Sequence, residues 1–436
     1  MILFDHVFSI LEGIFAKYAD NISLKENKNR FYVNRDLRGR VALVWDETHY
    51  EAMAETEKTF LTEMCGEVAH SLGKHSFPAS QVLIWDDDLE ESKKGASVYS
   101  YGTKLPFTVV DRMLTDSFWG SRAPEDSLSE KTIVFFSIKG GVGRSTALAV
   151  TAWELAQKGK KVMVVDMDLE SPGLSSSLLP EDRRPDYGLL DWLVEDLVDN
   201  GSEVIDLLYA DSPLSDGGRG EIIVIPAHGR KHGDYIAKMG RAWMPRMDGG
   251  YRTSWPQRLR TLLNDLNQKH KPDYVLIDAR AGLDEIASAC VLDLAPRLVL
   301  LFAMEGTQTW TGYSILFDHW NRLAQAKAVR ESLQCVAAMI PPLEDKTPYL
   351  QNLREHAWDC FRDKLYDDIS AGQDDGFSFD CNDLEAPHNP WLIHWHPGLH
   401  SMKQLSTLEK TLDEQQIRGT FPFLQNLSTF LKEDES

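Results

Sequence analysis

A doubly wound α/β domain with a mostly parallel sheet, preceded by a smaller α+β domain, is the fold class that this sequence predicts. Three observations point to it. Between about residues 131 and 342, six short and nearly continuous apolar runs alternate with helical segments. Such runs mark strands covered on both faces, as in a parallel sheet lying between layers of helices. The first run meets a glycine-rich stretch, "SIKGGVGRST" (137–146), that leads straight into a helical segment. Before about residue 125 the rhythm is different: one helix, two strands, a long helix and further strands.

In chain order, "DHVFSILEGIFAKYA" reads as the first helix, and "RFYVN" and "VALVWD" as strands. A long helix over about 48–73 follows, then the strands "QVLIWD" and "FTVVDRM". These fill an N-terminal domain assigned to 1–125, whose role the residues do not disclose. Within it "DDDLEES" reads as a solvated acidic loop, because no histidine accompanies the carboxylates as it would in a metal site. The polar stretch "GSRAPEDSLSE" reads as a linker to a second domain, assigned to 126–436.

The strands of that domain are "TIVFFSI", "KVMVVDMD", "EIIVIPA", "DYVLIDA", "RLVLLFA" and "QCVAAMI". Between them, "STALAVTAWELAQKG" is apolar on most sides and closes on Gly159, a C-terminal cap. The segment "SWPQRLRTLLNDLNQKH" opens with Ser254 and Pro256, both start signals, and sets Leu259, Leu262, Leu263 and Leu266 on one face. A helical elaboration begins at about 345 with "YLQNLREHAWDCFRDKLYDDI". The tract "AGQDDGFSFDCNDLEAPHNP" reads as loop, "WLIHWHPG" offers one further strand, and two helices finish the chain.

Composition narrows the function. The 436 residues carry a net charge of -21, which disfavours a whole-surface grip on DNA, since duplex binding relies on lysine and arginine neutralising phosphates. No apolar run approaches the roughly 18 residues of a membrane helix. The N-terminal stretch carries Asp5 and Glu12 and lacks a basic leader, so no signal peptide is expected. Five cysteines (Cys65, Cys290, Cys335, Cys360 and Cys381) form no CxxC pair. That usage suits a reducing cytoplasm and argues against a disulfide framework or a cysteine zinc site.

The glycine-rich turn carries the chemistry. A turn between a strand and a helix N-terminus aims several backbone N–H groups at one point, and the helix dipole favours an anion there. Gly140, Gly141 and Gly143 allow conformations and close approach that side chains would forbid. Ser145 offers a hydroxyl to Mg²⁺, with Thr146 one step further into the helix. The full GxxxxGK[ST] pattern is not met: its first glycine falls on Ile138 and its lysine on Arg144. Arginine keeps the charge but is longer, planar and apt to bond in a two-pronged way, so binding survives more readily than the positioning on which phosphoryl transfer depends.

The run of Lys139, two glycines, Val142, Gly143, Arg144 and Ser145 resembles the deviant Walker A motif, KGGxGK[ST], of the ParA/MinD ATPases. These belong to the broader class of P-loop NTPases that contains nitrogenase iron protein and the arsenite-pump ATPases. Two more segments resemble that family in the same order. "VMVVDMDLESPG" is similar to its switch segment and "DYVLIDARAG" to its Walker B strand. The resemblance spans about 131–342. It implies that Lys139 to Thr146 hold the phosphates of ATP, and that Lys139 reaches a partner's nucleotide across a sandwich homodimer. It further implies that Asp168 orients the attacking water, and that Ser145, Asp166 and Asp278 serve Mg²⁺. Pro341 and Pro342 stand where the family places an asparagine for adenine, which leaves ATP against GTP open.

The reading is a cytoplasmic, slowly hydrolysing ATP switch whose dimerisation controls assembly with a protein partner. A non-hydrolysing nucleotide-bound scaffold is one alternative. A DNA-linked ATPase of a bacterial defence or partition-like system is another, since ParA-like proteins with a similar loop resemble components of such systems. The acidic ending "FLKEDES" is unlike the basic membrane helix of MinD-like members, and no membrane partner is expected. The last tyrosine, Tyr366, and the missing CxxC set the chain apart from related tyrosine kinases and iron–sulfur carriers. Two stretches stay outside this reading. His388, His394, His396 and His400 have partial metal-ligand spacing beside Trp391 and Trp395. "GRKHGDYIAKMGRAWMPR" interleaves five basic residues with Tyr235 and Trp243, which suits either a nucleic-acid contact or a solvated helix with aromatic anchors. Arg280, two residues beyond Asp278, is a candidate switch residue without an assigned partner.

Overall fold

The computed structural model describes residues 2–103, 105–113, 119–231, 233–368, 376–400, 407–408 and 412–432. The chain divides into two compact units, Met1–Gly120 and Ser121–Ser436.

The first unit has five strands: β1 (Phe31–Arg35), β2 (Val41–Asp46), β3 (Leu83–Asp86), β4 (Ser97–Tyr101) and β5 (Phe107–Asp111). They form one mixed sheet in the order β3-β2-β1-β5-β4. The pair β1–β2 is antiparallel and β1–β5 parallel. Two helices, α1 (Val7–Tyr18) and α2 (Glu55–Leu72), contribute Leu11, Phe15, Leu61, Met64 and Val68 to a core that includes Val33, Leu43, Trp45 and Val109. The expected single helix over 48–73 is two. A short turn, Glu47–Ala52, is separated from α2 by Met53 and Ala54 in extended conformation. The Glu57 carboxylate accepts the Ala54 N–H at 2.9 Å, and Glu55 and Glu57 sit at the positive end of a new helix, so the sequence restarts there. The acidic "DDDLEES" holds a four-residue helical turn, Leu89–Ser92, capped by Asp88. Strand β4 went unread because only Val98 and two tyrosines interrupt its serines.

Asp46 ends β2 and caps the Glu47 turn. Its carboxylate accepts from the Thr48 hydroxyl at 2.7 Å, the His49 N–H at 3.0 Å and Arg30 Nη1 at 2.9 Å. These bonds, that of Thr48 foremost, hold the carboxyl down at about 2, against an ordinary 3.8. The folded value lies below the unfolded one, so this stabilisation is present above the unfolded value and fades as pH falls toward about 2. Asp46→Ala is expected to cost roughly 1 kcal/mol at pH 7 and clearly less at pH 3, read from urea unfolding of the full chain. An equal cost at both pH values would contradict it.

In the second unit the strands are β6 (Thr132–Ser137), β7 (Lys161–Asp166), β8 (Ala210–Asp211), β9 (Glu221–Ile225), β10 (Arg246–Asp248), β11 (Tyr251–Thr253), β12 (Tyr274–Asp278), β13 (Leu298–Ala303), β14 (Leu333–Ile340) and β15 (Trp391–His394). β10 and β11 make a small hairpin. The other eight form one sheet in the order β15-β14-β13-β6-β12-β7-β9-β8, parallel except for the β8–β9 pair. Every residue of β6, β12 and β13 is buried, which explains why these strands read as unbroken apolar runs. The helix α3 (Arg144–Gln157) follows β6, and Gly159 turns the chain out of it at φ +80°. Helix α5 (Trp255–His270) is capped as expected by Ser254, which exchanges bonds with Gln257, whereas α4 (Tyr235–Ala242) lies in the basic stretch.

The segment read as a linker is held against the second unit. Arg122 donates to the Pro296 carbonyl at 2.7 Å, and Asp126 accepts from Arg260 Nε at 3.0 Å. The closing helices, α6 (Glu414–Thr420) and α7 (Phe423–Lys432), bury Ile417, Phe423, Leu427 and Leu431 in the same core as Leu148 and Val164.

Candidate functional site

The site lies at the carboxyl ends of the central strands, where the sheet order departs from β6 to β13 on one side and to β12 and β7 on the other. Ligands of doubly wound folds bind in that crevice. Asp278 at the end of β12 stands in register with Asp166 at the end of β7. Between β6 and α3 the loop passes through Gly141 at φ +74° and Gly143 at φ +79°, both left-handed, so glycine is required at each. Gly143 is the N-cap of α3, which places the free N–H groups of Arg144, Ser145 and Thr146 at the helix mouth. Gly140, Val142 and these residues line a cavity of about 580 Å³, together with Asp168, Ser171 and Arg280.

Arg144 is the unexpected feature. Its side chain is only 9% exposed and turns toward the strand ends. Nε donates to Asp278 Oδ1 at 2.6 Å and Nη1 to the Ser137 hydroxyl at 3.1 Å, while Nη2 lies 3.9 Å from Asp168 Oδ2. The Ser145 hydroxyl donates to the other Asp278 oxygen at 2.6 Å. Asp278 thus gathers both loop residues. Asp166 is fully buried and accepts from the Ser175 N–H at 2.9 Å and the Asp168 N–H at 3.2 Å, as well as from the Ser175 hydroxyl. Burial, reinforced by the charge of Asp278, pushes its carboxyl up to about 7 against those bonds. Burial also raises Asp168, opposed by Arg144.

Two buried carboxylates under-compensated by positive charge, with a serine hydroxyl on each of them, are a donor set that suits a hydrated Mg²⁺. Among the described residues no three histidine, cysteine or acidic side chains converge as a complete metal cage, and Mg²⁺ at a phosphate site does not need one. Lys139 is exposed and does not line the cavity.

Arg280 acquires partners: Nη2 meets Glu170 at 2.6 Å and Nη1 meets Asp284 at 3.1 Å, so it ties the loop after β12 to the loop after β7. Tyr235 on α4 donates to the Leu169 carbonyl at 2.7 Å. Within the basic stretch, Arg230 and Lys231 pair with Asp186, Lys238 with Asp191 and Arg246 with Asp196, while Trp243 packs edge-on against Trp255. This is the solvated helix with aromatic anchors rather than a free basic face. The histidines do not form one cluster: His388 is buried and bonded to Tyr366 and the Cys381 carbonyl, whereas His394 and His396 line the loop's cavity. The side chain of His400 lies outside the described residues.

Sequence reasoning did not find Ser175, Ser137, Met339 or Trp395 at this site. The first two signal nothing by spacing, and the last two reach it only because β14 and β15 pair.

A parallel sheet with a glycine loop and a helix mouth lining one cavity, and with the strand-end Asp278 bonded to two of the lining residues, defines a P-loop nucleotide-binding fold. Residues 130–200 match the family model AAA_31, described as an AAA domain. The chain is 46% identical over 52 residues to a putative arsenical pump-driving ATPase of Aquifex aeolicus, covering 12% of this chain and 13% of that protein. It is 27% identical over 173 residues to an uncharacterized ATP-binding protein of Methanocaldococcus jannaschii, covering 40% of this chain and 53% of that one. The chain therefore spans about half or less of the length of these curated relatives. Among solved structures, the septum site-determining protein MinD of Pyrococcus horikoshii, complexed with Mg-ADP, matches at TM-score 0.43 and 19% identity over 70% of this chain and 99% of its own. A ParA family ATPase of Chlorobium tepidum matches at TM-score 0.42 and 14% identity over 69% and 98%. No helix among the described residues is long and apolar enough to cross a membrane.

Proposed function

We propose that this chain is a nucleotide switch that binds Mg·ATP at residues 139–146, dimerises around it to present a surface to a protein partner, and loosens as it slowly hydrolyses the nucleotide. One observation carries the reading: the loop, Asp168 and Asp278's partners Arg144 and Ser145 meet in a single cavity at the carboxyl ends of the strands. The loop N–H groups and α3 mouth hold the phosphates, and Ser145, Asp166 and Asp278 hold the cation. Mg²⁺, when bound, neutralises charge on the phosphate oxygens. Asp168 positions the attacking water. Lys139, exposed at the cavity's edge, is free to reach a second copy's nucleotide.

The scaffold alternative has its own support, because Arg144 is already committed to Asp278 and a bound triphosphate must compete for it. Light scattering during a magnesium-dependent hydrolysis time course, with ATP and with GTP, tests the switch. The expected result is an ATP-dependent doubling of mass that Lys139→Ala abolishes. Unchanged mass in the wild type with saturating ATP would overturn the dimer switch. Doubling without phosphate release would leave the scaffold.

A further inference from the structure

We infer that Arg280 meets the terminal phosphate of a bound nucleotide by leaving Glu170, so that a carboxylate on the loop after β7 and a triphosphate compete for one guanidinium. The inference rests on the nucleotide-binding reading above and makes Arg280 a residue of that site that tells a triphosphate from a diphosphate.

Arg280 stands two residues beyond the end of β12 and lines the same cavity as the glycine loop, Asp168 and Ser171. The backbone on either side of it is held. The Ala279 N–H donates to the Phe135 carbonyl at 3.2 Å and the Gly282 N–H to the Ser137 carbonyl at 3.0 Å, which stitches this loop to the end of β6. Gly282 makes the turn at φ +109°, where a side chain would be strained. What is free to change is where the guanidinium points.

Among the described residues two guanidinium groups line the cavity, those of Arg144 and Arg280. They are committed differently. Arg144 is paired with Asp278 in near-complete burial, where parting the two leaves a charge inside the protein. The ion pair of Arg280 with Glu170, at 2.6 Å, joins side chains that are 30% and 50% exposed. Pairs so open to water hold weakly. The second partner, Asp284 at 3.1 Å, is the firmer one, because it is fixed as the cap of the helical turn Glu285–Ser288 and accepts the Ala287 N–H at 2.8 Å. Arg280 thus has a fixed anchor on its own loop and an exchangeable one on the neighbouring loop.

That exchangeable anchor sits close to the chemistry. Glu170 belongs to 167–173, a stretch with neither helix nor strand, and lies two residues beyond Asp168. Burial raises the Asp168 carboxyl, and the charges of Arg144 and Arg280 oppose it, so Arg280 already acts on that carboxylate. A terminal phosphate carries more negative charge than a carboxylate and offers oxygens that suit the two-pronged guanidinium. A diphosphate lacks that group. The chain therefore carries its own competitor for the triphosphate, and drawing Arg280 away from it unties the loop of Asp168 from the loop after β12.

Titration calorimetry on the full chain, with MgADP and with the magnesium complex of a non-hydrolysable ATP analogue, tests this. Arg280→Ala is expected to weaken the analogue about tenfold or more and to leave ADP within about twofold. Glu170→Gln keeps the side chain's shape and removes the competing charge, so it is expected to tighten the analogue about threefold and leave ADP unchanged. In the double variant that gain should vanish, since no guanidinium is left to release. Analogue and ADP weakened alike by Arg280→Ala would make the residue structural and overturn the inference. An unchanged analogue affinity in Glu170→Gln, or a gain that persists in the double variant, would overturn it as well. Those results leave the nucleotide site standing, because the wild type still binds both ligands. A wild type that binds neither overturns the nucleotide reading, and this inference falls with it. If Arg280→Ala loses its cooperative thermal transition, Glu170→Gln carries the test under the same limits.

Discussion

Asp168→Asn is expected to lower ATP turnover by about 10²–10⁴-fold while ATP affinity stays within about threefold. The expectation follows from how its two oxygens are used. Oδ1 accepts the Ser171 N–H at 3.2 Å, which fixes the carboxylate, and Oδ2 has only the distant Arg144 guanidinium at 3.9 Å. One oxygen is therefore left to hold a water in the cavity, and the side chain is 20% exposed toward it. Asparagine keeps the shape and the Ser171 bond but removes the charge and one acceptor. Burial raises the Asp168 carboxyl, so turnover in the wild type should fall as pH drops through that raised value. Single-turnover rates across pH, with binding measured separately, give both quantities. Turnover within about threefold of wild type would take the water from Asp168. Loss of binding together with turnover would make it a structural residue of the switch loop.

The parts of this site legible in the sequence are those with local physical signatures. Lys139 to Thr146 announce themselves because glycines, a strand end and a helix start fall within ten residues. Asp166, Asp168 and Asp278 follow from the resemblance of "VMVVDMDLESPG" and "DYVLIDARAG" to the switch and Walker B segments of the ParA/MinD ATPases. What could not be read depends on which strands become neighbours. Nothing in "WLIHWHPG" says that it pairs with β14, so its histidines looked like possible ligands for a metal rather than a wall of the loop's cavity. The same holds for the cations of 230–246, whose partners Asp186, Asp191 and Asp196 lie 44–50 residues away. The helix over 48–73 failed for a different reason. Periodicity continued through Met53, but Glu55 and Glu57 formed a better helix start than interior.

Arg144→Ala is expected to destabilise the nucleotide-free chain by about 3–5 kcal/mol, because it removes one partner of a buried ion pair and leaves the other behind. Asp278 is 1% exposed and would keep only the Ser145 hydroxyl, with Asp166 as its in-register neighbour. Arg144→Lys separates the structural from the binding role. An ammonium lacks the guanidinium's planar fork and reach, so it does not reproduce the Nε bond to Asp278 and the Nη1 bond to Ser137. It should therefore lose about 1.5–3 kcal/mol of nucleotide-free stability, the worth of a hydrogen bond to a charged group. Yet the same weakening makes the cation easier for a triphosphate to draw away from Asp278. ATP affinity should then rise in Arg144→Lys while stability without ligand falls. Urea unfolding with and without MgATP reads both at once, through the larger ligand-induced gain expected of the lysine variant. Stability and affinity falling together would mean that Arg144 grips the phosphates from the pose it already holds.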